Sequence, residues 1–186
     1  MIYVIDHEDS FTYNLVHLLD NFAPTHVSNY FNIDKKKLDS CKIIVFSPGP
    51  GDPSHYSETQ KIYHQYKGLK KIVGICLGFQ QILYAEKSQI IPQKKIYHGY
   101  QSRIKVLKGS SLFKPNKILL GGRYHSLKLK EPFSHKNLKI TMRCVETNVA
   151  MAIEDTINNV YGFQFHPDSF LTVDGKFLIQ KILQAK

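Results

Sequence analysis

The chain has 186 residues, 42% of them apolar and 22% charged, a globular composition that excludes wholesale disorder and low-complexity architecture. At this length a single domain, residues 1–186, with a core that needs no disulfide staples is expected. The net charge of +10 is local: between Lys87 and Arg143 fourteen Lys and Arg stand against one acid, Glu131, and the remainder of the chain is net −3. That window reads as a lysine-rich solvated face or a surface for an acidic partner. It lacks the arginine cluster with stacking aromatics that a nucleic-acid site requires, so no nucleic-acid partner is expected.

The N-terminal segment MIYVIDHEDS carries Asp6, Glu8 and Asp9 where a secretory leader would be basic and then apolar, and no stretch approaches the ~18 apolar residues of a membrane span. A cytoplasmic location without membrane association follows as the expectation. Within this segment Ile2–Asp6 is a nearly continuous apolar run, the pattern of a strand covered on both faces. Asp9 or Ser10 is positioned to cap a helix over Phe11–Phe22, whose Leu15, Leu18, Leu19 and Phe22 recur at helical spacing. His26–Tyr30 is a weak strand. Lys42–Ser47 is a strong one, ending in the turn-rich SPGPGDP. Ser57–Tyr66 reads as an amphipathic helix, Lys71–Ile75 as a buried strand and Gly78–Glu86 as a helix. This alternation predicts an α/β fold with a mainly parallel central sheet flanked by helices. Strands over Ile104–Leu107, Lys117–Leu120, Lys139–Arg143, Val149–Ile153 and Tyr161–Phe165 predict a smaller antiparallel or mixed region in the second half, closed by a helix over Gly175–Leu183.

In open α/β sheets ligands gather beyond the carboxyl ends of the strands. Gly74-Ile75-Cys76-Leu77-Gly78 lies there, between a buried strand and a helix, and has the form of a nucleophile elbow. Unpaired N–H groups at a helix start favour a thiolate and hold an oxyanion formed nearby. Cys41 and Cys144 have no such setting and read as buried core thiols; the odd count and the absence of CxxC argue against a disulfide scaffold or a zinc ribbon. His166 ends an apolar strand before Pro167, again at a carboxyl end, and Asp168 is placed to accept its second N–H. His17, His55, His64 and His135 read as exposed. Ser47-Pro48-Gly49-Pro50-Gly51-Asp52-Pro53 is a stiff loop whose glycines let main-chain N–H groups approach a ligand. It is neither a Walker A loop nor GxGxxG, and neither HExxH nor His/Cys pairs at ligand spacing occur, so no metal site is expected.

Together these segments resemble the class I glutamine amidotransferases, in particular the glutaminase subunit of anthranilate synthase and aminodeoxychorismate synthase. The resemblance rests on IDHEDSFTYNLVHLL (5–19), FSPGPGDP (46–53), GICLGFQQI (74–82), HG (98–99), RYHSL (123–127) and GFQFHPDSF (162–170). It implies a Cys76–His166–Asp168 triad that hydrolyses L-glutamine through a thioester, with no cofactor in this subunit. It implies that Gly49, Pro50, Gly51, Leu77, Gln80, Ser126 and Leu127 hold the glutamine, Gly51 and Leu77 through oxyanion-binding N–H groups and Ser126 and Leu127 through main-chain groups. Arg123 and Tyr124 would position their loop or face the partner. That partner would be a chorismate-binding synthase subunit in a hetero-oligomer, contacted by Ser10–Asn14. Two positions depart from the family pattern: Asp168 replaces the usual glutamate and shortens its reach by one methylene, and Phe79 replaces the usual histidine. A weak or silent docking subunit of such a synthase is the alternative that these departures leave.

Overall fold

The computed structural model describes residues 1–185. In chain order its elements are β1 (Ile2–Asp6), α1 (Thr12–Asp20), β2 (Thr25–Asn29), α2 (Lys35–Ser40), β3 (Ile43–Phe46), a 3₁₀ turn (Pro53–His55), α3 (Ser57–Tyr66), β4 (Lys71–Ile75), α4 (Leu77–Ala85), β5 (Ile90–Pro92), β6 (Tyr100–Val106), β7 (Ile118–Arg123), β8 (Leu127–Leu129), β9 (Lys139–Cys144), β10 (Ala150–Asp155), β11 (Val160–Phe163) and α5 (Gly175–Gln184).

The apolar runs of β1, β3, β4 and β11 are buried because helices lie on both sides of them. Successive side chains of β1 alternate between the two cores. Ile2 and Val4 join Leu15 and Leu19 of α1 with Leu178 and Ile182 of α5 on one face. Tyr3 and Ile5 join Leu38, Ile62, Phe79 and Ile82 from α2, α3 and α4 on the other. Each such aliphatic side chain contributes about 1.5–3 kcal/mol by leaving water.

The strands form one nine-stranded sheet in the order β2-β1-β3-β4-β11-β10-β9-β6-β7, with a separate β5-β8 pair. The first five run parallel. The antiparallel strands of the second half continue the same sheet rather than forming a region apart, because β10 pairs directly with β11. β6 alternates exposed and buried residues, as a strand wet on one face must. β11 stops at Phe163, short of the expected Phe165: the Gln164 N–H turns to Met151 O and the His166 N–H to Gly122 O at 2.9 Å each, carrying the chain across the sheet. Periodicity does not predict α2, whose KKKLDS buries only Leu38 and whose start is fixed by Asp34 accepting from the Lys37 N–H at 3.1 Å. Nor does it reveal β5 and β8, three residues each. Among the described residues no helix is long and apolar enough to cross a membrane.

Candidate active site

The carboxyl ends of β1, β3, β4 and β11 bring His7, Ser47, Cys76 and His166 to one edge of the sheet. Cys76 joins β4 to α4 with φ 52° and ψ −99°, a conformation that costs a non-glycine residue about 1–3 kcal/mol. Its N–H is tied to Phe163 O at 2.8 Å. The flanking glycines explain how so tight a turn packs. A Cβ on Gly74 would lie 2.4 Å from the Gly78 carbonyl, and one on Gly78 would lie 2.2 Å from Phe46 O. Among the described residues the Leu77 and Gly51 N–H groups donate to no protein acceptor.

Cys76 is 6% exposed and faces a cavity of about 150 Å³. Gly49, Pro50, Gly51, Leu77, Gln80, Ser126 and Leu127 line it with Tyr124 and His125, so all seven expected glutamine-holding residues meet around the sulfur. A larger groove of about 620 Å³ beside α3 and α4 is lined by surface side chains such as His64, Tyr84 and Lys87 and brings no thiol with it. Gln80 is buried, its amide nitrogen donating to Gln164 Oε1 at 3.0 Å. Gln164, which lies within the 162–170 segment but has no role implied by the resemblance, turns its own amide nitrogen toward Cys76, 3.4 Å from the carbonyl oxygen and 3.7 Å from Sγ.

His166 is buried against Phe11, 5.4 Å away between centroids, and Tyr124, 5.0 Å away, which also touch each other at 4.9 Å, so the three rings form one cluster. Burial pushes the imidazolium down, but the thiolate charge of Cys76 and the carboxylate of Asp168 outweigh it and hold the ring up at about 10. The expected Asp168 hydrogen bond is not made. The Nδ1–Oδ1 separation is 3.6 Å, beyond bonding distance, and neither Asp168 oxygen nor either ring nitrogen has another partner among the described residues. The missing methylene accounts for the gap. Asp168 acts on the ring through charge, and the aromatic edges fix its plane.

The opposite wall is set by a buried arginine. Arg123 is wholly buried, so it faces no partner and positions its loop. Its guanidinium lies over the Tyr97 ring at 3.6 Å and its Nε–H donates to His125 Nε2 at 3.0 Å. His125 Nδ1 lies 2.8 Å from Leu127 O, an acceptor only, so this nitrogen carries the proton. Burial, reinforced by Arg123, holds His125 down at about 3 and keeps it neutral. The carbonyls of Ser126 and Leu127 thus each accept one bond already, from the Gln93 N–H and from His125.

Of the histidines expected to be exposed, His17, His55 and His64 are. His135 is partly buried and hydrogen-bonded to Glu86, its Nε2 2.9 Å from the carboxylate, because its Nδ1 accepts the Asn137 and Leu138 N–H groups and turns Nε2 inward. Cys41 and Cys144 are buried, as their sequence contexts imply. His7, fully buried beside Ser47, is the other group the motifs do not single out, although it follows a strand's carboxyl end just as His166 does.

Residues 3–185 match the family model described as glutamine amidotransferase class-I. The chain is 35% identical to anthranilate synthase component 2 of Lactococcus lactis, over 98% of this chain and 93% of that one. It is 37% identical to the component 2 of Methanocaldococcus jannaschii, over 92% and 86%. The bifunctional protein TrpGD of Thermotoga maritima is 34% identical over the whole of this chain, which spans 32% of that protein. A Thermoplasma acidophilum structure named for a GMP synthase superposes with a TM-score of 0.84 at 19% identity, covering 98% of this chain and 91% of that one, a likeness of fold alone.

Proposed function

The chain belongs to the class I glutamine amidotransferases, and on that footing we propose that it is the glutaminase subunit of a chorismate-using synthase, with Cys76, His166 and Asp168 as its catalytic groups. The observation that carries this reading is Cys76 on a strained elbow, facing a cavity shared by the 49–51 and 126–127 segments. The Cys76 thiolate adds to the side-chain amide carbon of glutamine, and the N–H groups of Leu77 and Gly51 hold the resulting oxyanion. One such donor is worth about 3–4 kcal/mol in comparable sites. His166, an imidazolium at neutral pH, gives its proton to the departing ammonia. The same ring then takes a proton from the water that attacks the γ-glutamyl thioester, releasing glutamate and restoring the thiolate. Gln80, Ser126 and Leu127 hold the amino-acid end. These steps draw on no metal or cofactor in this chain.

Ammonia so released serves a synthase subunit docked over the site. The relatives' names favour anthranilate as the product; 4-amino-4-deoxychorismate is the other candidate. Exposed Tyr13 and Phe170 support docking there: Tyr13 is two residues from Phe11 and Phe170 two from Asp168, so both stand beside the groups that frame His166. The test is reconstitution with the synthase subunit, assaying chorismate with glutamine for both products. Cys76→Ala is expected to lower glutamine-dependent synthesis by at least about 10³-fold while synthesis from ammonium salts continues. Full glutamine-dependent activity in that variant would sink the mechanism. A Cys76 that resists a glutamine-analogue alkylator would favour a docking subunit without turnover.

A further inference from the structure

The peptide joining Pro50 to Gly51 is held from behind. Tyr56, which precedes α3, donates its phenolic O–H to Pro50 O at 2.8 Å. Its ring stands edge-on to His7, with centroids 4.9 Å apart, and packs against Tyr30 at the same separation. Burial pushes the phenol up, so its proton stays in place across the neutral range. The Pro50–Gly51 peptide is trans. In a trans peptide the C=O and N–H lie in one plane and point in opposite directions, so fixing the carbonyl fixes the N–H. A hydrogen bond to that carbonyl also polarises the amide and strengthens its N–H as a donor. This is the Gly51 N–H, which lacks a protein acceptor and belongs to a residue lining the Cys76 cavity.

The near end of the loop is anchored by His7. Ser47 O–H donates to Pro48 O at 2.6 Å, while Ser47 Oγ accepts the His7 N–H at 2.9 Å and lies 3.3 Å from His7 Nδ1. The serine proton is committed, so Nδ1 carries hydrogen and Nε2 accepts from Thr59 Oγ1 at 2.9 Å. Burial holds this ring down at about 4, in the neutral form that the chain of bonds needs. Gly49 passes so close that an added Cβ would lie 2.6 Å from His7 Cβ and 2.5 Å from Leu77 Cδ2. The loop is therefore gripped between His7 and the elbow.

We propose that Tyr56, seated on His7, presets the Pro50–Gly51 peptide so that the Gly51 N–H meets the oxyanion without rearrangement. Both are positioning residues; neither touches the substrate. The inference rests on the glutaminase reading. Its test compares wild type with Tyr56→Phe, each in complex with the chorismate-binding subunit. Losing an oxyanion donor outright costs about 10²–10³ in kcat, so losing its orienting bond is expected to cost about ten-fold, with KM for glutamine within about two-fold. An aldehyde analogue of glutamine, which forms a tetrahedral adduct with Cys76, is expected to bind about ten-fold more weakly. Alkylation of Cys76 by iodoacetamide, which creates no oxyanion, keeps its rate. Unchanged kcat and aldehyde affinity overturn the inference while the glutaminase reading stands. Equal losses in kcat and iodoacetamide reactivity overturn it too, since they mark general damage to the elbow. A wild-type complex that hydrolyses no glutamine removes the glutaminase reading, and this inference with it.

Discussion

The Asp168 side chain is sealed from solvent, and its carboxylate is without a hydrogen bond 3.6 Å from the His166 ring. A buried carboxylate in that state holds a cation by charge and guides its direction poorly. Asp168→Glu restores the missing methylene and is expected to preserve or raise glutaminase activity, by up to about ten-fold if the bond forms, in steady-state assays of kcat. A large loss would mean a site rebuilt around aspartate. Asp168→Asn removes one of the two negative charges that raise His166 and is expected to move the alkaline limb of the kcat/KM–pH profile to lower pH. The sign carries over to stability. His166 lies above its ordinary value of 6.5, so its charged form stabilises the fold fully below 6.5 and the contribution drains away as the pH rises towards 10. That Cys76 and His166 come to one edge of the sheet is legible from two strand ends and their flanking residues. A lengthened Asp168–His166 contact is legible too, from the methylene that aspartate lacks; its size, 3.6 Å, is not, since it depends on how far apart two segments of backbone are held.

At the level of elements, the elbow works because β4 delivers Cys76 and α4 starts at once, with Gly78 pressed on the β3 backbone. Gly78→Ala would place a Cβ 2.2 Å from Phe46 O, an overlap that only backbone movement relieves. It is expected to destabilise the protein by about 1–3 kcal/mol or more, read as a lower midpoint in urea unfolding, and to slow glutaminase turnover through a displaced Leu77 N–H. Wild-type stability in that variant would show that the turn has slack. The G-x-C-x-G spacing made this element readable. The antiparallel strands were readable singly, but their continuation of the parallel sheet was not, because pairing partners lie far apart in sequence. Phe79, which replaces the histidine usual in the resembled branch, is a fully buried core side chain of α4, packed in the core away from the surface a partner could reach.

Across the whole molecule, two buried neutral histidines make the fold acid-sensitive. His7 at about 4 and His125 at about 3 both lie below the ordinary 6.5, so unfolding takes up protons that the native protein refuses. Stability is therefore expected to fall as the pH drops from 6.5 towards 4, by about 1.4 kcal/mol per pH unit for each such histidine, measurable by urea unfolding at stepped pH. A flat profile over that window would contradict the buried neutral assignment. His7→Gln should remove part of the slope. The basic window spreads over the antiparallel half, where Arg103 pairs with Glu146 and Arg143 with Glu131, so two arginines of the window are already neutralised by acids.

Residue order was enough to identify the α/β alternation, the thiol elbow, the His166 strand end and the stiff 47–53 loop, because each is a local pattern of burial period, glycine spacing and turn chemistry. Only the folded chain could reveal that His7, Tyr56, Gln164 and His125 brace those segments, and that Arg123 is buried behind its loop rather than turned to a partner. Their roles depend on neighbours dozens of residues away and on which groups lose water, and neither quantity is written in any local stretch of sequence.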